Sequence, residues 1–246
     1  MSPDPILRLD GVTVQFGGLR ALDNVSFDVT PGEVRGLIGP NGAGKTTLIN
    51  CVSGALRPTS GGIVLNGEIG PWNVRGTVAR GLCRTFQTPR AFLGLTVRGN
   101  LQAAASPHSG STSHGVVDEF AERFGLTDRL SELAADLPYG VLRRLSIALA
   151  LCTKPHVLLL DEPAVGLTSE EVKTLAASIR GLQATGVTIL LVEHNMRFLM
   201  SVSDRVVVLD QGRVIFTGTA SETQRDPAVI ESYLGKRSKG EDNARN

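Results

Sequence analysis

The sequence predicts an α/β fold in which a mostly parallel sheet is covered by helices on both faces. β-structure leads into it, and a mostly helical segment follows before the later strands. Three observations predict this. Short apolar runs such as "VLLLD" and "VTILLVE" alternate with helical patterns, as fully buried parallel strands do. The apolar "VRGLIG" runs straight into "GPNGAGKTT", a glycine-rich loop between a strand and a helix. Between about 98 and 151 the pattern is mostly helical.

In order, residues 6–38 read as β-structure: "ILRLDGVTVQF" alternates, "VSFDV" follows, and "TPGE" turns the chain into "VRGLIG". A helix begins near Lys45 and ends by Gly54, "LRPTSGG" is a loop, and "GIVLNGE" is a short strand. Residues 74–81 suit a short helix before "LCRTF". The helical segment is expected to be broken by the polar linker "SPHSGSTSHG", whose His108 and His114 read as solvated groups rather than metal ligands. After "VLLLD" come a helix from about Ser169, the strand "VTILLVE", another helix and the hairpin "RVVVLDQGRVIF". The tail "GKRSKGEDNARN" has no apolar anchor and reads as disordered.

Bulk properties narrow the function. With 246 residues, 41% hydrophobic and 20% charged, the chain can bury a sizeable core. A net charge of +1 gives no basic field for nucleic acid or an anionic membrane. Cys51, Cys83 and Cys152 are widely separated and read as reduced core residues. The N-terminus lacks the pattern of a secretory signal, and no run reaches the roughly 18 apolar residues of a membrane span, so any membrane role is expected to pass through a partner.

The chemistry concentrates in a few stretches. In the loop Gly39, Pro40, Asn41, Gly42, Ala43, Gly44, Lys45, Thr46, Thr47, successive amides and the following helix's positive end suit a phosphate. Lys45 suits the β- and γ-phosphates, and the Thr46 hydroxyl suits Mg²⁺. At the end of "VLLLDEP", Asp161 suits Mg²⁺ held through water, and Glu162 suits the general base that polarises the attacking water. Gln87 in "RTFQ" suits the metal or that water, and His194 in "LLVEHNM" the γ-phosphate; either is also compatible with an ordinary surface group. Phe16 either stacks on adenine or belongs to the core.

The order Phe16, "GPNGAGKT", Gln87, "LPYGVLRR", "LLLDEP", "GLT", His194 resembles the nucleotide-binding subunit of ATP-binding-cassette (ABC) transporters over about residues 6–235. The resemblance implies a P-loop NTPase (RecA-like) core from residues 6–87 and 155–235. It adds an N-terminal antiparallel β-subdomain and an inserted α-helical subdomain over about 88–154, with 236–246 as the tail. It implies ATP and Mg²⁺, and a head-to-tail dimer with a second such subunit, the same or different. Leu137, Pro138, Tyr139, Gly140 and Val141 would then be the signature facing the partner's ATP. Permease subunits would dock on the segment after Gln87, "PRAFLGLTVRGN", where Phe86, Phe92 and Leu93 are either docking or core residues; a solute-binding protein would act indirectly, and nucleic acid would play no part. The subunit would sit in the cytoplasm on the inner face of the membrane. "RTFQ", "LPYG", "VEHNM" and "DPAVIESYLG" are similar to importers of branched-chain amino acids, urea and short amides.

Where the family's common signature is L-S-G-G-Q, this chain has Pro138 in place of the serine and Val141-Leu142 in place of polar residues. Ser146 and Leu149 also replace charged or polar residues, and Thr168 an aspartate. Either the backbone tolerates the change or the chain pairs with a different subunit and the two ATP sites are unequal. Thr168 with Glu171 also forms a capping-box pattern.

Overall fold

The computed structural model describes residues 4–70, 73–109 and 113–234. Strands β1 (Leu7–Phe16) and β2 (Leu19–Val29) form an antiparallel hairpin. With β4 (Ser60–Leu65) and the short β5 (Glu68–Ile69) they make a four-stranded sheet in the order β2-β1-β4-β5. The second sheet has six strands: β3 (Val34–Ile38), β6 (Leu82–Arg84), β7 (Val157–Asp161), β8 (Thr188–Val192), β9 (Arg205–Asp210) and β10 (Arg213–Thr219). Its order is β10-β9-β3-β8-β7-β6, all parallel except the antiparallel edge strand β10. The β9–β10 hairpin turns on Gln211 and Gly212, both at positive φ as a tight two-residue turn requires.

The period-two rule of strands divides the core. Val157 and Leu159 of β7, with Leu190 and Val192 of β8, face the antiparallel sheet and α1 (Lys45–Val52). Leu158, Leu160, Ile189 and Leu191 face the opposite way. They pack under α3 (Val97–Ser109), α4 (Ser113–Arg123), α5 (Tyr139–Leu151) and α6 (Ser169–Ala184). Both faces are covered, which explains why these strands read as unbroken apolar runs. The remaining helices are α2 (Val74–Ala79), α7 (Met196–Val202), α8 (Ala220–Thr223) and α9 (Pro227–Leu234).

One expectation needs correction. The linker "SPHSGSTSHG" is not a break of its full length: α3 runs through Ser109 and α4 begins at Ser113. Two helices packed on a common core extend further than Pro107 and the Ser and Gly around it suggest. The side chains of His108 and His114, and the tail 236–246, lie outside the described residues. Cys51 and Cys152 are buried, as expected, and burial pushes both thiols up to about 11; Cys83 is only partly buried. Among the described residues no helix is long and apolar enough to cross a membrane.

Candidate active site

Buried β3 delivers Gly39 at its end, and the chain curls through Gly44 into α1. Gly44 sits at φ 102°, and a Cβ there would lie 2.7 Å from the Ala21 carbonyl oxygen, so only glycine fits. No side chain caps α1, which leaves its first amides turned to a ligand. Lys45 is buried, and its Nζ donates to the carbonyls of Gly39 (2.6 Å) and Pro40 (3.1 Å), so the ammonium folds across the loop. An open cavity of about 590 Å³ runs along Asn41–Thr47, with Glu162, Arg20, Gln211 and Gly212 on its other sides.

Phe16 closes β1 opposite Leu19 and is 52% exposed, which removes the core alternative. Leu19 and Arg20, just beyond it, line the cavity; the sequence reading missed both.

At the end of β7, Asp161 is held by an unexpected partner. Arg84 donates from Nη2 to Asp161 Oδ2 (2.9 Å), and from Nη1 to Asn50 Oδ1 (2.8 Å) and Ser53 Oγ (3.1 Å). The pair is largely buried, and it ties the acidic strand to α1. Parallel pairing of β6 with β7 brings Arg84 there, and nothing in the spacing from 84 to 161 announces it.

Glu162 has φ 45°, a sparsely populated region for a residue with a Cβ, and its amide donates to the Val192 carbonyl (2.9 Å). Gln87 Nε2 donates to Glu162 Oε2 at 2.9 Å, and His194 Nδ1 lies 3.7 Å from Glu162 Oε1. Three residues far apart in sequence therefore converge at the cavity's edge.

Glu193, also missed, is fully buried beside them. Its Oε1 accepts the Ala164 amide (2.8 Å), and Oε2 accepts those of His194 (3.2 Å) and Asn195 (3.3 Å). Burial pushes this carboxyl up while the backbone donors oppose the shift. The effect is to staple the loop after Glu162 to the loop bearing His194. Glu193→Ala leaves the buried Ala164 amide unmatched, at about 1–3 kcal/mol, and releases those of His194 and Asn195. A thermal melt is expected to fall by several degrees, with slower ATP turnover; an unchanged melt contradicts the staple.

The turn into α5 begins at Pro138, which has no side chain to cap the helix. Tyr139 is 43% exposed, and its ring lies against Gly166, where a Cβ would be 3.0 Å away. Gly140 faces the Glu171 carboxylate, which a Cβ there would push aside. Glu171 completes the expected capping box with Thr168, whose hydrogen bonds hold its carboxyl below the usual range. Within one chain, then, the anion at this helix start is Glu171. Val141 is buried, so its side chain serves the core, and partly buried Leu142 packs against the same cluster. Ser146 is buried and accepts the Arg90 amide (3.3 Å). Phe86, Phe92 and Leu93 are exposed by 39%, 66% and 53%. Arg90 covers Phe86 at 4.0 Å from its ring centre.

Comparison with known proteins agrees with this geometry. A family model described as ABC transporter matches residues 22–165. The chain is 39% identical over 251 residues to the high-affinity branched-chain amino acid transport ATP-binding protein LivG of Escherichia coli strain K12. It is 40% identical over 255 residues to BraF, of the same description, from Pseudomonas aeruginosa. Each match covers 94% of this chain and 98% of the relative. Among solved structures, a nucleotide-free ATP-binding cassette from an ABC transporter superposes with a TM-score of 0.82 at 29% identity. Another such cassette, in its ADP conformation, gives 0.84 at 29%; both matches cover 94% of this chain and 99% of the other. Taken with the phosphate loop and the acidic strand beside it, these similarities mean that the chain belongs to the ABC transporter family, as an ATP-binding subunit with ATPase activity.

Proposed function

We propose that this subunit hydrolyses Mg-ATP to drive import of branched-chain amino acids, or a related small polar solute, through a membrane permease. The observation that carries the hydrolytic part is the meeting of Gln87, Glu162 and His194 beside the phosphate loop. Lys45 and the loop amides hold the β- and γ-phosphates. The Glu162 carboxylate takes a proton from water as its oxygen bonds to the γ-phosphorus, and the bond to the β,γ-bridging oxygen breaks to give ADP and phosphate. Gln87 holds Glu162 in place, and His194 faces the γ-phosphate. The oxygen donors Thr46, Asp161 and Gln87 suit Mg²⁺, which lends its charge to the phosphates when bound; Asp161 keeps Oδ1 for this while Arg84 holds Oδ2.

The transport part rests on the similarity to LivG and BraF and on the exposed apolar surface around Phe92 and Leu93, which suits a permease segment. Two subunits close head to tail, with Leu137–Val141 of one over the nucleotide of the other. The unit spans about residues 6–235, with the helical subdomain over about 88–154, and sits on the cytoplasmic face through the permease. Affinity purification of the tagged chain from membranes tests this. Permease subunits are expected to copurify, and ATPase activity to rise with branched-chain amino acid and its binding protein. A chain found only in the soluble fraction, with ATPase indifferent to membranes, overturns the transport reading.

A further inference from the structure

Arg143 lies on α5, one turn beyond Tyr139, and only 1% of it is exposed. Its Nη1 donates to the Phe86 carbonyl (2.9 Å), and its Nη2 to the Tyr139 hydroxyl (3.0 Å) and, more weakly, to the Glu162 carbonyl (3.4 Å). Its carbon lies 5.5 Å from the centre of the Tyr139 ring. All three acceptors are uncharged, and Nε has no partner. Among the described residues no carboxylate forms an ion pair with it. A buried cation with only neutral partners is expensive, and an apolar side chain of similar volume would fill the space at lower cost.

The three acceptors belong to three segments of the site. Phe86 immediately precedes Gln87. The Glu162 carbonyl belongs to the residue held at φ 45°. Tyr139 stands half-exposed at the start of α5, against Gly166 of the loop after Glu162. The guanidinium is planar and its donors are fixed relative to one another, so displacement of one acceptor reorients the bonds to the others.

We propose that Arg143 is a positioning residue that transmits the placement of Tyr139 to Glu162 and Gln87 of the same chain. It rests on the hydrolytic roles proposed above for Glu162 and Gln87. A neighbouring subunit that presses on the start of α5 moves the Tyr139 hydroxyl. Arg143 then shifts the Glu162 backbone and the Phe86–Gln87 segment, so the hydrolytic centre of this chain responds to what its own signature touches. The two ATP sites of a dimer are thereby coupled through each chain's interior.

The test is a double-mutant cycle on the full chain with Tyr139→Phe, Arg143→Lys and the pair. Arg143→Lys keeps the charge but loses the fork, and is expected to lower kcat on the order of tenfold to a hundredfold, the scale of a misplaced catalytic group. KM for ATP and the melting temperature are expected to stay near wild type. Tyr139→Phe is expected to lower kcat by less, and the double variant to match Arg143→Lys alone, because both changes cut one connection. Hydrogen exchange gives a second readout that does not need turnover: amides over 85–88 and 161–165 should exchange faster in both single variants, while those of β3 and β8 stay protected. Multiplicative effects on kcat, a wild-type Arg143→Lys, or unchanged exchange in both segments overturns the proposal. Should Glu162→Gln hydrolyse ATP at the wild-type rate, the base assignment fails instead, and the exchange data still decide whether Arg143 links these segments.

Discussion

Glu162→Gln is expected to bind ATP normally while hydrolysis falls by ~10²–10⁴, the usual worth of a positioned general base. The amide matches the carboxylate in size and tolerates the same backbone, so the strained turn at φ 45° and its bond to Val192 survive. What disappears is the capacity to accept a proton from water. If ATP is shared at a seam between two subunits as proposed, stopping hydrolysis should make a dimer accumulate on size exclusion in Mg-ATP but not in ADP. Phosphate release and elution volume are the two measurements. Turnover at the wild-type rate removes Glu162 from its role. A monomer under saturating Mg-ATP, alone and beside its natural partner subunit, removes the shared site.

Lys45→Ala is expected to lose nucleotide. Each charge-assisted hydrogen bond from the ammonium to a phosphate contributes about 1.5–3 kcal/mol, so affinity should weaken by roughly tenfold or more. The same ammonium also bridges the carbonyls of Gly39 and Pro40, so the empty loop loosens as well. Lys45→Arg separates the two effects. It keeps the charge, but its larger planar head fits poorly over a loop whose glycines leave so little space. Titration with a fluorescent ATP analogue and a parallel melt distinguish lost binding from lost folding. Unchanged affinity in Lys45→Ala contradicts the placement of phosphate on this loop.

The phosphate loop and the acidic strand end were legible because their chemistry is contiguous. A glycine-rich turn needs its residues next to each other, and an apolar run ending in Asp161-Glu162 marks both a buried strand and its acidic end. The hairpin after Arg205 and the capping box at Thr168 were legible for the same reason: each is a local hydrogen-bond pattern. Phe16 and Phe92 were ambiguous, since an aromatic residue at a strand end or in a loop looks alike whether covered or bare. Val141 illustrates the opposite limit. The sequence marks it as a departure from a polar signature, but only the packing of α5 shows that its side chain is core.

By itself, then, the sequence determined the alternation of strands and helices, the phosphate loop, the acidic residues and the family, because these depend on periodicity and short spacing. Only the tertiary structure decided that Arg84 holds Asp161, that buried Glu193 joins two loops, that Glu171 covers Gly140, and that Arg143 reaches Phe86, Tyr139 and Glu162 together. Apart from Tyr139 and Arg143, one helical turn apart, those contacts join residues distant along the chain. Sheet order and helix packing bring them together, and no local pattern encodes which distant carbonyl a buried guanidinium will meet.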